Sequence, residues 1–107
     1  MTFGQTVAAE RRNRGLSQKD LAVRIVKEDG QPISPQYLND IERDRRNPPS
    51  EYLIGRIAEA LDLDADYLYY LAGQIPPQDR DGSRPKEAVQ EAFVAFRRAL
   101  EASSPRL

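Results

Sequence analysis

The sequence contains neither cysteine nor histidine. That removes disulfide frameworks, thiol nucleophiles and the His- or Cys-based ligand sets of zinc, so the usual catalytic and metal-binding constellations are missing. No enzyme, no cofactor and no metal site is expected. Long apolar runs are missing as well. Residues 1–15 carry Glu10, Arg11, Arg12 and Arg14, which fits neither a signal peptide nor a membrane span and leads to the expectation of a cytoplasmic protein. An excess of one charge is also lacking, since 16 Lys and Arg face 17 Asp and Glu for a net charge of −1. For a polyanionic partner the distribution matters more than this total. Residues 1–48 hold nine basic and seven acidic side chains, and the remainder holds seven and ten. The basic excess lies in the first half.

What is present is a succession of helix signals in a chain of 107 residues, enough for one core that folds without staples. Phe3, Val7 and Arg11 recur at helical spacing, so Arg11 continues an apolar stripe and points inward. Gly15 suits the left-handed residue that ends such a helix. Ser17 caps a second helix of about two turns, with Asp20 placed for a capping box and Leu21, Ala22 and Ile25 on its buried side. Residues 27–32, Lys-Glu-Asp-Gly-Gln-Pro, read as a loop. Ser50 opens a fourth helix whose inward stripe is Leu53, Ile54, Ile57, Ala58 and Leu61, and Asp64 caps a fifth over residues 65–72, closed by Gly73. The predicted fold class is all-α, five helices and then a sixth at the C-terminus.

The third helix is the one with polar groups where a core would not want them. Ser34 caps it and Pro35 suits its first position, whose N–H would be unsatisfied in any case. Ser34, Leu38, Ile41 and Glu42 share one side, whereas Gln36, Asn39, Asp40 and Arg43 cluster on the other. One face is for burial and the other offers hydrogen bonds, which suits the reading of DNA. Glu42 falls on the inward side and needs a partner there. Arg11 is the inward arginine available, so a salt bridge between the two is expected.

Residues 74–84, with Pro76, Pro77 and Gly82, form a linker by composition. In residues 85–107, Val89, Phe93, Phe96 and Leu100 are spaced as the seam of a helix that pairs. This amphipathic helix either folds back on the domain or pairs with a second copy or with another protein.

Gly15-Leu16-Ser17-Gln18-Lys19-Asp20-Leu21-Ala22, Ile33 through Arg43, Arg46-Asn47-Pro48 and Ile57-Ala58-Glu59-Ala60-Leu61 resemble the phage repressor and Cro-type helix-turn-helix proteins, also called the XRE family. The resemblance covers residues 3–73. It implies a five-helix domain at residues 1–73 and sequence-specific binding of double-stranded DNA, usually by a homodimer. The role it suggests is that of a transcriptional regulator, a repressor above all, on a roughly palindromic site. By matching positions, Gln36, Asn39 and Asp40 face base edges with Ser34, Pro35 and Tyr37 at the entering end, and Gln18, with Lys19 beside it, meets the phosphate backbone. Arg43, Arg45, Arg46 and Asn47 follow the reading helix where the flanking strand passes, and are assigned to phosphates. The family also pairs the positions of Arg11 and Glu42. The second function considered is a DNA-binding antitoxin or other protein-partner module using the C-terminal helix. One departure is plain: several extra residues, centred on 27–32, separate the two motif helices, and they lengthen the second helix or make a protruding loop.

Overall fold

The computed structural model describes residues 1–46 and 49–103. Its helices are α1 (Phe3–Asn13), α2 (Gln18–Ala22), α3 (Pro35–Glu42), α4 (Glu51–Leu61), α5 (Ala65–Leu71) and α6 (Lys86–Ser103), with one 3₁₀ turn at Pro77–Asp79. Local chemistry accounts for where they start. Thr2 and Gln5 form a capping box at α1, Ser17 and Asp20 do the same at α2, and the side chains of Ser34, Ser50 and Asp64 accept an amide of the first turn of α3, α4 and α5. The two hydrogen bonds with Ser17 hold the Asp20 carboxyl below the usual aspartate pKa. Gly15, at φ +68°, turns the chain out of α1.

The five capped helices share one core. Val7 of α1, Leu21 of α2, Ile25, Leu38 of α3, Ile54, Ile57 and Leu61 of α4 and Leu68 of α5 are fully buried, and Ile33, Ile41, Phe3, Tyr69, Ala22 and Ala58 complete the cluster. α3 packs on α1 and α2, while α4 packs on α1 and α5. Among the described residues no helix is long and apolar enough to cross a membrane.

One expectation needs correction. The second helix stops at Ala22 and has five residues instead of about two turns. The chain tightens there: Arg24 N–H donates to Leu21 C=O at 2.9 Å and Ile25 N–H to Ala22 C=O at 3.1 Å, which swings Ile25 into the core. The extra residues then form a hairpin-like loop and do not extend the helix. Val26 and Pro32 form an isolated antiparallel bridge, Lys27 N–H donates to Gln31 C=O at 2.8 Å, and Gly30 turns the tip at φ +87°. Ile33 N–H closes the neck on Ile25 C=O at 2.9 Å, with both isoleucines buried.

The linker is also tied down in part. Gln78 donates to Asp66 at 3.3 Å and Arg80 pairs with Glu51. α6 contributes no buried residue. It lies beside α5, where Tyr70 and Phe96 meet edge to face with ring centroids 6.1 Å apart, and a cavity of about 580 Å³ opens between them, lined by Tyr70, Ile75, Phe93 and Phe96. Val89, Phe93, Phe96 and Leu100 all stay exposed.

Candidate nucleic-acid interface

α3 is seated by Leu38 and Ile41 and held by a buried ion pair. Arg11 Nε donates to Glu42 Oε2 at 2.7 Å and Arg11 Nη2 to Glu42 Oε1 at 3.0 Å. The third nitrogen, Nη1, donates to the Leu16 carbonyl at 2.8 Å. The two side chains are 11% and 4% exposed, so the pair is removed from water and every charged atom has a partner. The hydrogen bond with Glu42 raises the Arg11 pKa above the ordinary arginine value against the opposing effect of burial, so the guanidinium is charged throughout the working range of pH.

The opposite side of α3 presents the polar face. Ser34, Pro35 and Gln36 are exposed, and Tyr37, Asn39 and Asp40 are half-buried. Ser34 is exposed although the helical wheel groups it with Leu38, because as N-cap it precedes the helix and its Oγ is turned to the Tyr37 amide at 3.0 Å. Asp40 is covered by its own partners. Gln36 Nε2 donates to it at 3.2 Å, Arg46 Nε lies 3.5 Å from one carboxylate oxygen and Arg45 Nη1 3.8 Å from the other. The Arg46 guanidinium also sits over the Tyr37 ring, 5.2 Å from its centre. Of the residues expected to read bases, Gln36, Tyr37 and Asp40 therefore form one connected patch with Arg45 and Arg46, expected to hold phosphates. Asp40 draws Arg45 and Arg46 back against α3.

Gln18 sits differently from a residue that only reaches outward. Its Nε2 donates to Asn39 Oδ1 and to Glu42 Oε1, both at 3.0 Å, so the side-chain amide ties α2 to α3. Lys19, in the same first turn, and Arg43, at the end of α3, are exposed. Asn47 and Pro48 lie outside the described residues.

One arrangement was not visible in the sequence. Asp44 leaves α3 at φ +55° and turns its carboxylate to the start of α1, accepting from Thr2 Oγ1 at 2.6 Å and from Gly4 N–H at 3.1 Å. A negative group is stabilised at the positive end of a helix. Glycine at position 4 makes the approach possible, since a Cβ there would lie 2.3 Å from the Ile41 carbonyl oxygen. Asp40, Glu42 and Asp44 thus alternate along the chain and each fastens a different part: the basic loop, the core ion pair and α1. A glycine inside the first turn of a helix is the signal that could have revealed the close approach. Tyr69 was also missed as a polar contact; its hydroxyl donates to the Glu51 carbonyl at 2.8 Å.

The family profile described as helix-turn-helix matches residues 7–68. Among solved structures, the chain is similar to one from the SinR protein/SinI protein complex, with a TM-score of 0.53, 22% identity, and coverage of 94% of this chain and 93% of that one. No curated protein matches the sequence.

Proposed function

The chain belongs to the XRE-type helix-turn-helix family of DNA-binding transcription regulators, and on that premise we propose that it is a repressor that binds a roughly palindromic double-stranded site as a homodimer, with residues 34–43 in the major groove. The observation that carries this reading is the connected patch on α3. Gln36, Tyr37 and Asp40 lie together on it, with Arg45 and Arg46 drawn against them. Gln and Asn side chains bond base edges, and guanidinium groups bond phosphate oxygens. Lys19, Arg43 and Asn47 are assigned to the flanking backbone, and Gln18, whose side-chain nitrogen is taken up by Asn39 and Glu42, meets it through its main-chain N–H. Repression is the sense proposed because occupying a promoter requires nothing beyond the reading domain.

In this proposal residues 1–73 form the DNA-binding domain, 74–84 the linker and 85–107 the pairing segment, which contains α6. Val89, Phe93, Phe96 and Leu100 lie on the seam that meets a second copy. Two-fold pairing brings two copies of α3 to successive major grooves about 34 Å apart. A second reading gives α6 to another protein, as in a DNA-binding antitoxin; the similar SinR protein is itself in a complex with SinI protein. Light scattering on the purified chain separates the two, a dimer supporting the first and a monomer the second. Either way the site of action is the cytoplasm.

Selection from randomised DNA with the purified protein tests the whole reading. It is expected to enrich a two-fold sequence, and enrichment of nothing would refute DNA recognition. Gln36→Ala should relax the preference at one or two base pairs only. Arg46→Ala should weaken all sequences alike and reduce the slope of log affinity against log salt by about one. A sequence-dependent loss from Arg46→Ala would show that its role is not phosphate binding.

A further inference from the structure

The buried ion pair reaches the reading face through a single side chain. Glu42, locked on Arg11 at 2.7 and 3.0 Å, has only acceptor atoms to offer. The Gln18 atom 3.0 Å from Glu42 Oε1 is therefore the amide nitrogen. Its second hydrogen goes to Asn39, 3.0 Å away, so the Asn39 atom that meets it is the carbonyl oxygen. Carboxylate chemistry thereby decides which way the asparagine amide faces. Asn39 Nδ2 is left with no partner among the described residues, and because no buried side-chain nitrogen or oxygen there lacks one, it faces solvent on the polar side of α3.

We propose that the relay from Arg11 through Glu42 and Gln18 fixes Asn39 as a donor toward the major groove, so that it selects guanine at its base pair. A freely turning asparagine pairs its oxygen and nitrogen with N6 and N7 of adenine. With the oxygen turned inward to Gln18, the amide presents its NH2 group outward, which meets N7 and O6 of guanine, whereas the bidentate pairing with adenine needs the oxygen outward as well. Gln18 is then a positioning residue for base selection as well as a tie between α2 and α3. Gln36 is held in the opposite sense, since its Nε2 donates to Asp40 and its oxygen is the atom left to face outward. The inference rests on the assignment of residues 34–43 to the major groove.

The test is site selection with the wild-type protein, Asn39→Ala and Gln18→Met, each checked for folding by its melting curve. Asn39→Ala identifies the base pair that Asn39 reads, as the position whose preference is lost, and the wild type is expected to hold guanine there. In Gln18→Met, Asn39 can turn, and the guanine-to-adenine ratio at that one position is expected to fall about tenfold with other positions unchanged. Adenine in the wild-type site at that position overturns the proposal, as does an unchanged ratio in folded Gln18→Met. If Gln18→Met fails to fold, the wild-type and Asn39→Ala sites still decide on guanine or adenine. Loss of no preference in Asn39→Ala removes Asn39 from the bases altogether. Failure of the wild type to enrich any sequence instead overturns the DNA-binding reading beneath it.

Discussion

Glu42→Ala is expected to cost about 3 to 5 kcal/mol of folding stability, because it leaves the Arg11 guanidinium buried without its counter-charge. The side chain of Arg11 is 11% exposed, and two of its three nitrogens donate to Glu42. Gln18 Nε2 loses an acceptor in the same step. For a chain of this size the melting temperature should fall by roughly 10 to 20 °C. The cost is one of desolvation and not of attraction alone, and the two can be separated. Arg11→Met combined with Glu42→Leu removes both charges at similar volume and should regain most of the loss, since replacing a whole buried pair by apolar groups is often neutral. Urea unfolding followed by circular dichroism measures all three proteins. A Glu42→Ala protein within about 1 kcal/mol of the wild type would mean that water reaches Arg11 and that the pair does not brace α3. The contribution of Arg11 has a simple pH dependence. Its folded-state pKa is raised, so the stability is present below the ordinary arginine value and lost only as pH rises above it, outside the range of any DNA-binding assay.

Gly4→Ala is the second substitution with a large expected effect, and here two rules disagree in sign. Helix propensity favours alanine over glycine by up to about 1 kcal/mol inside a helix. Contact opposes it: the new Cβ would stand 2.3 Å from the Ile41 carbonyl oxygen, 2.8 Å from that of Glu42 and 2.6 Å from Asp44 Oδ1. Asp44 can swing aside, at the loss of its bonds to Thr2 and Gly4. The two carbonyls belong to the last turn of α3 and cannot withdraw without unwinding it. Contact should win, with a net loss of about 2 to 3 kcal/mol, and α3 should shift enough that DNA affinity falls as well. Denaturant titration and a binding isotherm on the same sample check both. A Gly4→Ala protein as stable as the wild type would show that α1 stands off from α3.

What these two sites need is unequally visible in the sequence, for physical reasons. The inward direction of Arg11 and Glu42 is legible because each interrupts an apolar stripe of fixed period, and the starts of α2 to α5 are legible because a cap acts within four residues of itself. Asp44 acts on residues 40 and 42 positions away, so nothing within its own segment marks it as other than part of a charged turn. Gln18 is a harder case. The family resemblance sends it to the phosphate backbone, whereas in the folded chain its amide is consumed between Asn39 and Glu42, a geometry that exists only once α2 and α3 have docked. The five-residue length of α2 escaped for a related reason, since Ile25 fits a helical period but reaches the core by a tightened turn.

The loop between α2 and α3 has a consequence for how such a chain can vary. Its neck is closed twice, by the Val26–Pro32 bridge and by the Ile33 to Ile25 hydrogen bond, with a buried isoleucine on each side. The direction in which α3 departs is therefore fixed below the neck, and the number of residues above it is decoupled from the angle at which bases are read. Doubling the length of such a loop costs only about 0.6 kcal/mol in closure entropy. A peptide tag inserted at the Gly30 tip is therefore expected to leave the seating of α3 and the melting temperature nearly unchanged.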